Sequence, residues 1–120
     1  MILLHGTTQR RAELIVQNGP DPRYREPGGQ NWADGFSMNV ESGPFLFQHP
    51  EEYARGKALA FPNEGGPAIL VVDVPDDVIQ LAVNDFFPLS QGLVQFDKHA
   101  GLDELIAIWP ELHKEIRSLS

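Results

Sequence analysis

The polar residues best placed for chemistry follow directly on the first apolar run of the chain. Residues 1–4 read as a buried strand, and His5-Gly6-Thr7-Thr8 comes next. Glycine lets the backbone turn or approach a ligand closely, and a threonine hydroxyl can cap the helix that follows. A histidine at the mouth of a strand could face a pocket, or it could hydrogen-bond a neighbouring backbone group. These residues alone leave both roles open for His5.

Four arginines near the start of the chain form a second candidate feature. Residues 1–33 hold Arg10, Arg11, Arg23 and Arg25 against three acidic residues, whereas the whole chain has a net charge of −8. Such a cluster could attract one small anion, for example a pyrophosphate, to an otherwise acidic protein. The alternative is that these arginines are solvated surface residues. The overall charge disfavours long nucleic acids, which bind to clustered lysine and arginine.

The bulk composition predicts one domain over residues 1–120. A chain of this length with 42% apolar residues can bury a core without metals or disulfides. The absence of cysteine excludes thiol catalysis. With no signal-peptide pattern and no apolar run of about 18 residues, we expect a cytoplasmic protein that is not inserted in a membrane.

The elements that must position these residues are read from periodicity and from helix-end signals. A helix capped by Thr7 or Thr8 should end before Gly19-Pro20, and Pro50-Glu51-Glu52 is a strong helix start. We predict helices over 9–18, 50–61 and 76–82 and from 110 onward, and strands over 1–4, 45–47, 68–74, 86–87, 93–96 and 104–109. Residues 19–44, rich in glycine and proline, are predicted to form a long loop that serves as a lid or a partner surface, anchored by Trp32 and Phe36.

The order of these motifs resembles the ADP-ribosyltransferase superfamily in its histidine-tyrosine-glutamate branch. The resemblance is carried by Leu4-His5-Gly6-Thr7-Thr8, Gly43-Pro44-Phe45-Leu46-Phe47, the alanines of 54–58, the strand 68–74 and Glu104-Leu105-Ile106. It spans nearly the whole chain but consists of short motifs. It implies an α+β fold in which two small packed β-sheets surround an NAD-binding cleft, with flanking helices.

The resemblance also implies roles for particular residues. His5 would bond a ribose hydroxyl of NAD, the Gly6 backbone would hold the nicotinamide carboxamide, and Thr7 would support the turn. Phe45 stands where the family usually has a tyrosine that stacks on nicotinamide. Glu104 would be the catalytic carboxylate that stabilises positive charge as the glycosidic bond breaks. Asp103 could take that role if the match is displaced by one residue.

Several functions therefore compete. The first is an NAD-dependent mono-ADP-ribosyltransferase, toxin-like in its small size, that modifies a protein or small-molecule acceptor. The second is a non-catalytic binding module with the same fold. An RNA 2′-phosphotransferase is a poorer match because it must grip an RNA phosphate. A metal protein using His5, His49, His99 or Asp97 is a further alternative, but only Asp97 and His99 have useful spacing, and two ligands do not make a site.

Overall fold

One antiparallel sheet organises the part of the chain that the structure describes. The computed structural model describes residues 1–20, 35–46, 48–86 and 88–119. The five strands are β1 (Ile2–Thr8), β2 (Phe36–Val40), β3 (Pro67–Asp73), β4 (Leu93–Phe96) and β5 (Lys114–Ser118), in the order β4-β2-β1-β3-β5. Every neighbouring pair is antiparallel. The α+β class is thus confirmed, but the described strands form one sheet where two were expected.

Among the described residues, four α-helices connect and cover the strands: α1 (Gln9–Asn18), α2 (Pro50–Ala60), α3 (Asp76–Ala82) and α4 (Leu102–Ile108). The predicted cap of α1 is confirmed, because the Thr8 hydroxyl accepts a hydrogen bond from the Arg11 N–H at 3.3 Å. Gly19 ends the helix with φ 82°, a left-handed value that glycine adopts freely. α2 begins at Pro50, as predicted. Short 3-10 helices occupy Leu89–Gln91 and Trp109–Glu111.

The two faces of the sheet are covered differently. One face carries the larger apolar cluster, in which Leu3 and Leu70 of the central strands pack with residues of α1, α3 and α4, and we call it the core face. The opposite face carries the smaller cluster of Leu4, Ile69 and Val71. Because α2 lies against β1 and β3 there, we call it the α2 face. Successive residues of each strand alternate between the two faces.

Several predicted elements are wrong. Residues 104–108 belong to helix α4 and not to a strand, and Lys114–Ser118 is strand β5 and not a helix. Phe45 and Leu46 are not in a strand, and neither is Phe86. The supposed loop 19–44 contains β2. The predictions made for Arg23, Arg25 and Trp32, and for positions 47 and 87, lie outside the described residues.

Among the described helices, none is both long and apolar enough to cross a membrane.

Candidate functional site

The pairing between strands β1 and β2 ends after two residue pairs. Leu3 pairs with Val40 and Leu4 with Asn39, and the register then stops. If the same register continued along the two strands, Gly6 and Ser37 would be the next residues to exchange backbone hydrogen bonds, but the structure does not pair them. On its other side, β1 pairs with β3 along all seven of its residues. We call the place where Gly6 and Ser37 face each other unpaired the strand gap.

The His5 side chain reaches across to β2 at this point. Its Nδ1 lies 2.8 Å from the Ser37 carbonyl oxygen. Because a carbonyl oxygen only accepts, Nδ1 carries the proton and donates. The ring also packs on Phe36, with centroids 4.5 Å apart and planes inclined by 31°. His5 thus makes the backbone hydrogen bond that was one of its two possible roles, with a partner 32 residues away in the chain, and its role toward NAD remains a prediction.

Gly6 presents its backbone to the strand gap. The Ile2 carbonyl accepts from the Glu41 N–H at 3.1 Å, which shows that this carbonyl points toward β2. Since backbone groups alternate in direction along a strand, the N–H and C=O of Gly6 point the same way. A Cβ on Gly6 would lie 2.1 Å from the Pro50 carbonyl oxygen, so only glycine fits beneath α2. A donor and an acceptor thus stand side by side at Gly6.

The β2 side of the strand gap carries neutral polar groups. Ser37 and Asn39 alternate with buried Phe36 and Met38, which places their side chains on the α2 face of β2. Gln95 of β4 is the register partner of Ser37 and lies beside it on the same face. All three polar side chains are half-buried. Together they offer hydroxyl and amide groups without a formal charge.

Phe45 lies on the α2 face of the sheet, and its stacking on nicotinamide remains a prediction. Its ring is 4.5 Å from that of His49 and packs against the cluster of Leu4, Ile69 and Val71. Among the described residues, the aromatic ring in contact with His5 is that of Phe36. His49 is the N-cap of α2, because its Nδ1 accepts from the Glu51 N–H at 3.1 Å.

The predicted catalytic carboxylate stands on an exposed helix surface. α4 turns Leu102 and Leu105 into the main core, while Asp103 and Glu104 face solvent in its first turn. The Glu104 side chain makes no hydrogen bond or ion pair with any described residue, while the described hydrogen bond of His5 goes to Ser37. A carboxylate that stabilises a developing cation must be held beside it. Neither acid meets that condition at the strand gap.

Arg11 is engaged in a buried ion pair and not in an open anion site. Its Nε donates to both oxygens of Glu64, at 2.6 and 3.0 Å, and the Thr8 hydroxyl donates to the same carboxylate at 3.2 Å. The guanidinium also lies 4.0 Å above the Phe61 ring. Burial alone raises the pKa of Glu64, but the hydrogen bond and charge of Arg11 and the other contacts outweigh it and hold that pKa below its ordinary value.

The remaining predicted residues are placed as follows. Thr7 is buried in β1 opposite Ala68, and Arg10 is exposed on the first turn of α1. No group of three or more metal-binding side chains exists within the described ranges. His99 is exposed in a turn closed by a hydrogen bond from its N–H to Asp97.

Comparison of the chain with protein-family models, with curated proteins and with solved structures finds no match. The strand gap must therefore be interpreted from its own chemistry.

Sequence reasoning missed Ser37 and Gln95 as residues of this site, and it named Phe36 only as an aromatic anchor of a loop. The signal was present, since residues 36–40 alternate apolar and polar as a half-buried strand does. The glycines and prolines on either side obscured it.

Proposed function

We propose that this chain is a non-catalytic binding module for NAD that receives the nicotinamide carboxamide in the strand gap. The observation that carries the proposal is the backbone of Gly6, whose N–H and C=O face β2 beyond the last residue pair that the described parts of the two strands form. A primary amide offers a carbonyl and an N–H on adjacent atoms. It can therefore form two complementary hydrogen bonds with one extended residue, as a neighbouring strand would.

The surroundings of Gly6 suit a flat heterocyclic amide. The half-buried ring of His5 borders the strand gap and offers aromatic surface to such a ligand, and the buried ring of Phe36 supports it from the core face. Ser37 and Gln95 supply neutral hydrogen-bond donors and acceptors on the β2 side of the strand gap. The resemblance of the first turn to ADP-ribosyltransferases supports NAD as the source of this amide.

Binding without turnover follows from the charges at the site. Cleavage of the glycosidic bond builds positive charge on the ribose, and a fixed carboxylate is needed to stabilise it. The described polar residues on the β2 side of the strand gap are all neutral, namely Ser37, Asn39 and Gln95, and Glu104 lies on α4. We therefore expect NAD to bind and to remain intact.

The test is an NMR titration of the labelled protein with nicotinamide, nicotinic acid and NAD. The Gly6 amide resonance should shift with nicotinamide and NAD. Nicotinic acid should bind about tenfold more weakly or worse, because its carboxylate has no N–H for the Gly6 carbonyl and repels that oxygen. Ser37→Phe should block binding by filling the strand gap, and His99→Ala is the matched control at an exposed turn.

Two results would contradict the proposal. If Gly6 does not respond at millimolar nicotinamide, or if nicotinic acid binds equally well, the amide is not what the strand gap recognises. Chromatography of the NAD samples adds the second criterion. Release of nicotinamide that Ser37→Phe abolishes would show an active enzyme in place of a binding module.

A further inference from the structure

We infer that His5 is a positioning residue, a wedge that holds β1 and β2 apart and so keeps the Gly6 backbone available. The inference concerns the ligand-free protein, and only its consequence for ligand binding rests on the proposed function. It assigns to the His5 ring a task in shaping the site, in addition to the aromatic surface that the ring offers the ligand under the proposed function.

The hydrogen bond made by His5 takes the very acceptor that would close the ladder. The Val40 N–H donates to Gly92 on the β4 side, so the backbone groups of alternate residues, Asn39 and Ser37, point toward β1. In the continued register, the Ser37 carbonyl would accept from the Gly6 N–H. In the structure it accepts from His5 Nδ1 at 2.8 Å. A side-chain donor thus replaces the backbone donor at the point where pairing stops.

The ring is held in this position from a second direction. Its contact with Phe36, at 4.5 Å between centroids, anchors it on the residue that precedes Ser37. The position itself does not demand a polar residue, because Leu3 and Leu70, the nearest neighbours on the same face of β1 and β3, are apolar and buried. An apolar β-branched residue would suit the strand and would leave the Ser37 carbonyl to Gly6.

Amide hydrogen exchange tests the wedge without any ligand. In the wild type, the Gly6 amide should exchange at least about tenfold faster than that of Leu4, which is paired with β2. In His5→Val the Gly6 and Ser37 amides should slow by about tenfold as the two strands pair. His5→Asn should behave as the wild type, since its side-chain amide places a donor where Nδ1 was. His99→Val is the matched control at an exposed histidine.

The inference is overturned if the wild-type Gly6 amide exchanges as slowly as that of Leu4, or if His5→Val leaves the exchange of Gly6 unchanged. It is also overturned if His5→Asn fails to restore wild-type exchange. Should His5→Val not fold, the wild-type comparison and His5→Asn decide. Nicotinamide binding is measured separately on the same variants. Fast Gly6 exchange without binding would refute the proposed function alone, whereas binding that His5→Val retains, with no change in exchange, would refute the wedge alone.

Discussion

Replacing Gly6 by alanine should destabilise the protein, whereas the same replacement at Gly56 should stabilise it. At Gly6 the new Cβ would lie 2.1 Å from the Pro50 carbonyl oxygen and 3.1 Å from the Ala54 nitrogen. Both are backbone atoms of α2, which cannot rotate out of the way as a side chain can. The helix must therefore shift by about 1 Å, and overpacking of this kind costs about 1–3 kcal/mol.

The net effect at Gly6 is somewhat smaller than that cost. Alanine restricts the unfolded chain more than glycine does, which returns about 0.4–1 kcal/mol. We expect Gly6→Ala to lower the free energy of unfolding by about 1.3 kcal/mol, the difference between the middle values of these two ranges. Gly56 lies in the exposed interior of α2 with no atom within 4 Å of the added Cβ. There alanine should raise the free energy of unfolding by about 0.8–1 kcal/mol through helix propensity.

Urea unfolding followed by circular dichroism measures both variants against the wild type, with similar slopes expected because the fold is unchanged. The opposite signs are the decisive result. If Gly6→Ala is as stable as the wild type, then α2 does not press on β1 as the structure shows. The glycine would then have to be explained by something other than close packing.

Three further predictions concern buried polar contacts. Glu64→Ala removes the carboxylate that pairs with the buried Arg11 guanidinium and should lower the free energy of unfolding by about 3–5 kcal/mol. Combining Arg11→Met with Glu64→Leu should recover most of that loss. A loss below about 1 kcal/mol for Glu64→Ala would contradict a stabilising role of this ion pair. Because folding lowers the pKa of Glu64, the stability that Glu64 contributes is complete above its ordinary pKa of 4.5 and is lost as the pH falls through the lower folded value. Between about pH 5 and pH 3 the wild type should therefore lose more stability than Glu64→Gln. Equal losses in the two proteins would refute this reasoning. Trp109→Phe removes the indole hydrogen bond to the Val16 carbonyl, 3.2 Å long, and should lower the urea unfolding free energy by about 1–3 kcal/mol, with an unchanged midpoint as the contrary result.

The parts of the fold that the sequence predicted correctly are those with local end signals. Thr8 caps α1 and Gly19 ends it, and proline with two acids opens α2. The strand 67–73 was evident because a nearly continuous apolar run suits a central strand covered on both faces. In each case the deciding interaction is made by residues close together in the chain.

The failures occur where tertiary contacts decide. The apolar run 105–109 fits a strand or a buried helix equally well by periodicity, and packing against α3 and α1 makes it helical. In Lys114–Ser118, the spacing of Leu112, Ile116 and Leu119 imitates a helix. The chain is instead an edge strand because β3 offers it an unpaired side. The strand gap was beyond prediction, since it depends on where two distant strands cease to pair.

The central position of β1 bears on how the protein folds as it is synthesised. β1 is made before both of its neighbours, β2 at 36–40 and β3 at 67–73, and it remains without a partner until they have left the ribosome. β3 must in turn wait for β5 to cover its other side. At about 5–20 residues per second, residues 2–4 spend seconds as an exposed apolar segment. Folding is thus tied to the completion of distant pairings and not to local order, and we expect a nascent chain that ends before residue 73 to expose an aggregation-prone strand.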